Sequence, residues 1–378
     1  MDSCDVLIVG GGPAGSSCAW GLRSSGLHVV ILDKAKFPRN KVCGGWITPS
    51  VLQALAINPA DYARGRTLQA ITGFRIGRIP SQPHANTRPN GNSKSARREV
   101  DVSYSEPVSY GIRRCEFDEY LLRRSGADVC EGFSINSIQR VGPHWVVNDK
   151  IRARLLIGAG GHFCPVAFFL DDDKTIQPVV AQEVEFEMDA QQAATCAIRK
   201  EVPELYFCHD LQGYGWCFRK ENFLNIGLGR LDRHALPEHV SQFIEFLHGC
   251  GKLGFTPPQR MSGHAYLLYG QSARNTVDDG VLLIGDAAGL AYAQSGEGIR
   301  PAVESGLMAA QVIRAAEGRY TPERLENYRG LLEKAYGNGR TMTSHLPRRL
   351  RNSLGRFLLT TNWFCRRMVV ESWFLRIN

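Results

Sequence analysis

The sequence predicts an α/β fold in which a doubly wound, mostly parallel sheet is interrupted by an inserted α+β unit with a mixed or antiparallel sheet. Three observations support this prediction. The chain opens as strand, helix and strand. Its centre changes to period-two alternation of apolar and polar residues, typical of an antiparallel sheet. Residues 281–284 then return to a short apolar run, as in a buried parallel strand.

Composition limits the classes of protein that remain. With 378 residues, 43% of them hydrophobic and 22% charged, the chain resembles an ordinary globular protein. It has no run of about 20 apolar residues, and its start lacks a basic segment followed by a cleavage site, so we predict no transmembrane helix and a cytoplasmic location. The 11 cysteines are scattered without a CxxC pair, which predicts reduced thiols and no metal site.

The first strand, residues 4–9, leads through a glycine-rich turn into a helix predicted over 13–25 and a second strand over 28–32. Glycines with GxGxxG spacing permit a tight turn, close approach to a pyrophosphate and close packing of helix on strand. An acid ends the second strand, where it can accept hydrogen bonds from ribose hydroxyls and would repel a 2′-phosphate, which favours FAD or NAD over NADP. The residues predicted to bind the nucleotide are Gly10, Gly12, Pro13, Ala14, Gly15, Asp33 and Lys34.

The middle of the chain divides the predicted domains. A stretch rich in Pro, Ser, Asn and Arg predicts a polar surface insertion over 76–105. The period-two stretch predicts a substrate domain over 181–269. The nucleotide-binding domain is therefore predicted to be discontinuous, formed by residues 1–75, 106–180 and 270–335.

A second glycine-rich segment follows the strand at 281–284. Asp286 at its end can accept a hydrogen bond from a ribityl hydroxyl, and the N-terminus of a helix beginning near Gly298 can stabilise negative charge on a reduced flavin. The alternative is an ordinary turn with a capping acid. The first interpretation predicts a Rossmann-type FAD-binding domain, with Gly296, Gly298 and Ile299 beside the cofactor.

Together with Arg114-Cys115-Glu116-Phe117-Asp118, which matches R-x-x-F-D, these two segments resemble the FAD-binding flavoproteins that include aromatic hydroxylases, flavin halogenases and geranylgeranyl reductases. The resemblance covers roughly residues 4–320 and implies that Arg114 lies near the FAD phosphates. Hydroxylases usually carry Asp-Gly where this chain has Gly160-Gly161, and a proline where it has Ala293. Gly160 is still expected at the cofactor, but these differences favour chemistry without oxygen activation.

Two further segments resemble the geranylgeranyl reductase family in particular. Residues 38–45 look like its P-R-x-K-x-C-G-G segment, which implies that Lys41, Cys43, Gly44 and Gly45 contact the cofactor. Residues 214–219 look like Y-x-W-x-F-P, with arginine in place of the proline. The resemblance implies that Tyr214 and Trp216 line an apolar substrate cavity over the flavin, although their spacing alone is equally typical of core aromatics.

Two of the expected catalytic residues keep a structural alternative. Cys43 is expected to order the site or help deliver a proton, or else to be a small buried apolar residue. Glu297 is expected near the flavin ring, or else to be a capping acid at a helix N-terminus.

These features predict an FAD-dependent reductase that transfers hydride from flavin to a C=C bond of a prenyl or other apolar substrate. NAD(P)H, ferredoxin or flavodoxin would supply the electrons. The alternative is an FAD monooxygenase of an aromatic or polyketide molecule. A non-catalytic flavin-binding protein is disfavoured, and so is a halogenase, because Lys94 is the only lysine between Lys41 and Lys150.

The C-terminal segment, 336–378, is predicted to form basic amphipathic helices. From residue 340 onward it holds eight arginines and one acid, mixed with large apolar residues. One interpretation is a helical pair packed on the substrate domain with solvated arginines; the other is docking on an anionic membrane surface. No nucleic-acid-binding motif accompanies the charge, so nucleic acid is not an expected partner. The oligomeric state is left open.

Overall fold

The computed structural model of the chain describes residues 2–80, 99–170, 178–232, 235–271, 274–337 and 348–377. Most of the predicted polar insertion, including Lys94, lies outside these described residues. Within them, no helix combines the length and the apolar character needed to cross a bilayer.

The strands, in chain order, are β1 (Asp2–Val9), β2 (Val29–Asp33), β3 (Trp46–Ile47), β4 (Leu68–Ile71), β5 (Gly73–Arg78), β6 (Val100–Ser103), β7 (Ser109–Ile112), β8 (Asp128–Glu131), β9 (Ile138–Val141), β10 (His144–Val147), β11 (Ile151–Gly158), β12 (Val179–Glu187), β13 (Glu204–Phe207), β14 (Gly213–Lys220), β15 (Phe223–Arg230), β16 (Ser262–Tyr266), β17 (Val277–Asp278) and β18 (Val281–Leu283).

The helices are α1 (Pro13–Leu22), α2 (Pro49–Ala54), α3 (Pro59–Tyr62), α4 (Arg114–Arg123), α5 (Pro165–Leu170), α6 (Ala190–Thr195), α7 (Leu236–Gly249), α8 (Ile299–Ala315), α9 (Pro322–Leu325), α10 (Asn327–Tyr336), α11 (Arg348–Leu358) and α12 (Asn362–Phe364). A 3₁₀ turn covers Gly285–Ala288, and a π-helix covers Cys365–Leu375.

The first sheet has eight strands in the described chain, with the path β17-β18-β11-β1-β2-β8 and β10 and β9 attached to it. Its centre is parallel: β1 pairs with both β11 and β2, and β11 pairs with β18. The second halves of β1 and β11, together with β2 and β18, are buried and almost wholly apolar, because helices such as α1 and α5 cover the sheet. The predicted α/β class with a Rossmann-type domain is confirmed.

The second sheet runs β16-β12-β15-β14-β13-β5-β6 in the described chain and is antiparallel except where β13 pairs with β5. A third, small sheet is formed by β3, β7 and β4 in that order. Strands β5 and β6, which flank the undescribed residues 81–98, pair with each other and with β13. These strands therefore belong with the sheet of residues 181–269 rather than with the FAD-binding segments or a surface insertion. The buried side chains of Val100 and Val102 on one face of β6 explain why.

Helix α11 and the π-helix at 365–375 differ in their surroundings. The π-helix buries Cys365, Val369, Val370 and Phe374 in the apolar cluster of the second sheet. Helix α11 instead leaves Leu350, Leu354 and Phe357 exposed to solvent. The predicted packing of the C-terminal segment on the substrate domain is therefore found for the π-helix, whereas one apolar face of α11 is exposed to solvent.

Candidate active site

A cavity of about 730 Å³ lies between the first and second sheets. Every residue that the sequence predicted for the site lines this cavity except Gly15. Gly15 instead lies beneath it in α1, where a Cβ atom would collide with the carbonyl oxygen of Gly10. That is the contact the third glycine of the motif is expected to permit.

One end of the cavity holds the nucleotide-binding turn. Gly10 has a φ of 117°, which favours glycine, and no side chain caps the N-terminus of α1 at Gly12. Asp33 accepts hydrogen bonds from the backbone N–H of Gly11 (2.8 Å) and of Ala35 (2.8 Å). The acid therefore holds the turn in place as well as facing the cavity.

Two arginines share one buried carboxylate next to this turn. Arg114 donates to both oxygens of Asp118, at 2.8 Å each, and the guanidinium of Arg39 lies 3.2 Å from the same carboxylate. One acid cannot neutralise two arginines, so a net positive charge remains at the end of α1. This charge suits a pyrophosphate. The sequence prediction named Arg114 and left out Arg39.

A polar group of three residues lies further along the cavity. Lys41 Nζ is 3.1 Å from His264 Nδ1, and His264 Nε2 is 3.7 Å from Asp286 Oδ2. Burial lowers the pKa of both Lys41 and His264. Burial would raise the pKa of Asp286, but the hydrogen bond from His264 and the nearby charges outweigh it and hold this pKa below its ordinary value. Asp286 is therefore an ionised acceptor, which suits the hydroxyls of a polyol chain.

The glycine-rich turn before α8 forms another wall of the cavity. No side chain caps the N-terminus of α8 at Gly298. Glu297 accepts a hydrogen bond from the backbone N–H of Arg300 (3.2 Å), while its Oε2 atom is buried without a partner. Burial raises the pKa of Glu297 to about 7. Glu297 therefore does both things considered for it from the sequence: one oxygen caps α8, and the side chain lines the cavity.

Aromatic residues close the remaining side. Tyr214, Trp216 and Phe218 project from one face of β14 into the cavity. Trp216 and Tyr214 lie opposite Gly227 and Gly229 of β15, which leave room for the two large rings. The wall is completed by Trp46 and Phe374, whose rings stack with centroids 5.2 Å apart. The family resemblance named Tyr214 and Trp216, but no sequence feature placed Trp46 or Phe374 here.

The arrangement fits FAD. The N-termini of two helices, α1 and α8, line the same cavity at two separate points. Neither N-cap residue, Gly12 or Gly298, has a side chain, and in the first turn of α8 Glu297 takes up the N–H of Arg300 and leaves that of Ile299 to the cavity. The first lies among arginines, as a pyrophosphate requires, and the second lies beyond the Asp286 carboxylate, as a flavin ring at the end of a ribityl chain requires. Residues from the turns at 10–14, 43–45 and 296–299 would hold the cofactor, which would supply hydride-transfer chemistry beside the aromatic wall.

Comparisons with known proteins agree with this site. Residues 8–62 match the model of an NAD(P)-binding Rossmann-like domain. The chain is 28% identical to the menaquinone reductase of Mycobacterium tuberculosis over 95% of this chain and 86% of that protein. It is 26% identical to the digeranylgeranylglycerophospholipid reductase of Methanocaldococcus jannaschii over 92% of this chain and 86% of that protein.

Two solved structures share the fold. A geranylgeranyl bacteriochlorophyll reductase-like protein from Thermoplasma acidophilum aligns with a TM-score of 0.71 and 22% identity, covering 96% of this chain and 88% of its own. A point mutant of the halogenase PltM, solved in complex with FAD, aligns with a TM-score of 0.67 and 17% identity, covering 89% of this chain and 75% of its own. A coverage of 96% also extends the similarity beyond residue 320, into the C-terminal helices.

The fold, the cavity and these relatives define the protein as an FAD-dependent oxidoreductase. Within that class, the predicted resemblance to the geranylgeranyl reductase family is confirmed.

Proposed function

We propose that the protein reduces a C=C bond in the isoprenoid chain of a lipid. Reduced FAD would supply the hydride. The observation that carries the proposal is the wall formed by Trp46, Tyr214, Trp216, Phe218 and Phe374 directly against the 43–45 segment. The Trp216 indole N–H is satisfied by Asn225 Oδ1 at 2.7 Å, so the ring offers the cavity an apolar surface.

An isoprenoid chain suits this wall because its recognition depends on burying CH₂ and CH₃ groups, at about 0.8 kcal/mol per CH₂. Digeranylgeranylglycerophospholipid and menaquinone, the molecules in the names of two relatives, both carry such chains. Either lipid is a suitable first probe. The aromatic residues would orient the isoprenoid chain and exclude water, while Cys43, Gly44 and Gly45 would form the part of the cavity wall next to the reacting bond.

The test uses the FAD-loaded protein, reduced anaerobically and mixed with digeranylgeranylglycerophospholipid or with menaquinone. The expected result is flavin reoxidation by the lipid and, once any quinol has been reoxidised to the quinone in air, a product two mass units heavier per reduced C=C bond. If neither lipid reoxidises the flavin and an aromatic probe instead gains one oxygen atom in air, the reductase proposal fails and a monooxygenase replaces it.

An external molecule would reduce the flavin, since the chain has one dinucleotide-binding turn among its described residues and FAD is expected to occupy it. We propose NAD(P)H, ferredoxin or flavodoxin as this donor. Anaerobic bleaching of the flavin by NADH, NADPH, a reduced ferredoxin or a reduced flavodoxin would identify it. Failure of all these donors while dithionite still reduces the flavin would overturn the assignment.

The exposed face of α11 supports a peripheral membrane contact. Leu350, Leu354 and Phe357 lie at helical spacing on one face and are 60%, 50% and 63% exposed, and Trp363 beyond the helix is 67% exposed. The helix sequence, RRLRNSLGRFL, holds four arginines and no acid. Arg356 and Asn352 attach another face of the helix to backbone carbonyls of the 209–210 turn. We propose that the open face of α11 docks on an anionic lipid surface.

Sedimentation with phosphatidylglycerol vesicles tests this contact. The wild-type protein is expected to bind these vesicles, to release them as salt rises, and to bind phosphatidylcholine vesicles weakly. The double variant L354E/F357E is expected to stay in solution, whereas V141E, at another exposed apolar residue, is expected to bind as the wild type does. Equal binding by both variants, or self-association through this face in place of vesicle binding, would overturn the proposal.

A further inference from the structure

A buried carboxyl that the sequence did not predict faces the cavity beside the aromatic wall. Glu183 lies on β12, is 4% exposed, and lines the cavity. In the sequence it is one of three glutamates in a strand with alternating polar residues, and such residues usually face solvent. Here its side of the second sheet is covered by the FAD-binding domain.

Strand register brings Glu183 next to Trp216. Glu183 pairs with Gly227 on β15, and Gly227 pairs with Trp216 on β14. A Cβ atom on Gly227 would lie 2.8 Å from the Cβ of Glu183 and would collide with the Trp216 indole. The carboxyl and the indole therefore meet over a glycine on the cavity face of the sheet.

The two carboxyl oxygens of Glu183 have different environments. Oε1 accepts a hydrogen bond from the backbone N–H of Cys43 at 2.5 Å. Oε2 is buried without a partner in the described structure. Asn225 links the same groups, since its Nδ2 donates to the carbonyl oxygen of Cys43 and to Glu185 Oε2, at 3.3 Å each. This network holds one oxygen of Glu183 against the 43–45 segment and leaves the other for a ligand.

The surroundings favour the protonated form of this carboxyl. Burial raises the pKa of Glu183 to about 7, with the charge of Glu185 acting in the same direction. The Cys43 N–H, the charge of Lys220 and the nearby Asn225 amide oppose this rise without cancelling it. Lys220 is itself occupied, because it donates to Glu185 Oε2 at 2.5 Å and to the carbonyl oxygen of Ile112 at 2.9 Å. At neutral pH the site therefore contains a carboxylic acid that can release a proton.

Two other groups could be considered for the same role. Glu297 also has an oxygen without a partner, but it belongs to the turn before α8, and its other oxygen caps that helix. The Cys43 thiol lies 3.4 Å from the Gly45 N–H, which donates to its sulfur. Glu183 differs from Cys43 in having a buried oxygen without a partner. It differs from Glu297 in lying on the second sheet, across Gly227 from Trp216.

We propose that Glu183 is the catalytic residue that donates a proton to the alkene. This inference rests on the proposed function. The hydride from reduced FAD forms a C–H bond at one alkene carbon, the π bond breaks, and its electron pair takes the proton of the Glu183 carboxyl at the other carbon. The O–H bond of the acid breaks, and the resulting carboxylate regains a proton from water when the product leaves.

The decisive variant is Glu183→Gln. A glutamine keeps an oxygen that can accept from the Cys43 N–H, so the cavity retains its shape while the acidic proton is lost. Anaerobic single-turnover mixing with digeranylgeranylglycerophospholipid, which has no quinone ring to accept the electrons, is expected to show reoxidation of the reduced flavin slowed about 100-fold or more. The wild-type rate is expected to fall as the pH rises through about 7, and this dependence should vanish in the variant. FAD content is expected to stay the same.

A second readout does not depend on turnover. Infrared difference spectra of the FAD-loaded protein should show carbonyl absorption from two protonated carboxyls, Glu183 and Glu297, that disappears as the pH rises through about 7. Glu183→Gln should remove one of the two contributions, and Glu297→Gln the other. Glu187→Gln is the matched control, because Glu187 lies on the same strand but is exposed.

The outcomes separate the two proposals. A wild-type protein that reduces neither lipid refutes the proposed function and the donor role with it. An active wild type refutes the donor role alone if Glu183→Gln reacts at an unchanged rate, or if Glu297→Gln or Cys43→Ser causes the loss of the pH dependence instead.

Discussion

Replacing Glu183 with glutamine is expected to change how the stability of the protein depends on pH. The charged or titratable groups facing this carboxyl are Glu185 on its own strand, Lys220 on β14 and Cys43 in the cavity segment. None of them compensates fully for burial, so the folded protein holds a proton on Glu183 at pH values where the unfolded chain has released it. The variant has no such proton.

Because the pKa of Glu183 is raised in the folded protein, its contribution to the free energy of unfolding decreases as the pH rises. The stabilisation from a protonated Glu183 is complete below the ordinary pKa of 4.5 and is lost as the pH rises through about 7. At about 1.36 kcal/mol per pH unit, the whole change is about 3 kcal/mol, and about 2.5 kcal/mol of it falls between pH 5 and pH 8. A chain of 378 residues has an unfolding entropy of about 0.8 kcal/mol per degree near its midpoint, so the variant should gain about 3 °C in Tm relative to wild type over this range.

The assay is thermal unfolding of the FAD-loaded wild type and variant at pH 5 and pH 8, followed by tryptophan fluorescence. The quantity to compare is the difference in Tm between variant and wild type, and how this difference changes from pH 5 to pH 8. Every other titrating group, including Glu297, affects both proteins equally, so its contribution cancels. Glu187→Gln is expected to show a difference from wild type that does not vary with pH. A constant difference for Glu183→Gln as well would refute the claim that the folded protein protonates this residue near neutral pH.

Three further predictions concern the cofactor and the aromatic wall. Asp33→Asn places an amide NH₂ group, which cannot accept, opposite the N–H of Gly11 or Ala35. FAD should therefore bind about 10- to 100-fold more weakly, as measured by fluorescence titration. Asp128→Asn, at an exposed acid, is the control. Gly227→Ala adds a methyl group that collides with Trp216, so FAD should bind normally while lipid-driven flavin reoxidation is lost; full activity would contradict the predicted position of that ring. Phe374→Ala removes the ring that stacks on Trp46 and should cost about 3 to 5 kcal/mol of stability, measured by thermal unfolding, whereas Phe163→Ala, at an exposed ring, should cost much less.

The nucleotide-binding end could be predicted from the sequence because its chemistry is local. Gly10, Gly12 and Gly15 belong to one turn and the helix that follows it, so their spacing along the chain is their spacing in space. Asp33 ends the adjacent strand, which places it at the same edge of the sheet. Asp286 and the turn before α8 follow the same rule at the second helix.

The aromatic wall could be predicted in part. Tyr214 and Trp216 alternate on one strand, so they share a face, but the pattern does not tell which domain that face meets. The family resemblance supplied that information. Phe374 comes from the far end of the chain, and its apolar neighbours predicted an amphipathic helix without showing which surface the helix covers.

Glu183, His264 and Arg39 depended on the tertiary structure. Glu183 becomes a buried acid only because the register of β12, β15 and β14 sets it across a glycine from Trp216 and because the FAD-binding domain covers that face. His264 meets Asp286 across the interface between the two sheets. The sequence by itself determined the α/β class, the nucleotide turn and the second flavin segment, since these depend on contacts between residues close in the chain. Strand register and the packing of one sheet against the other decided which polar side chains lose contact with water, and burial is the physical reason that an ordinary glutamate can hold a proton at neutral pH.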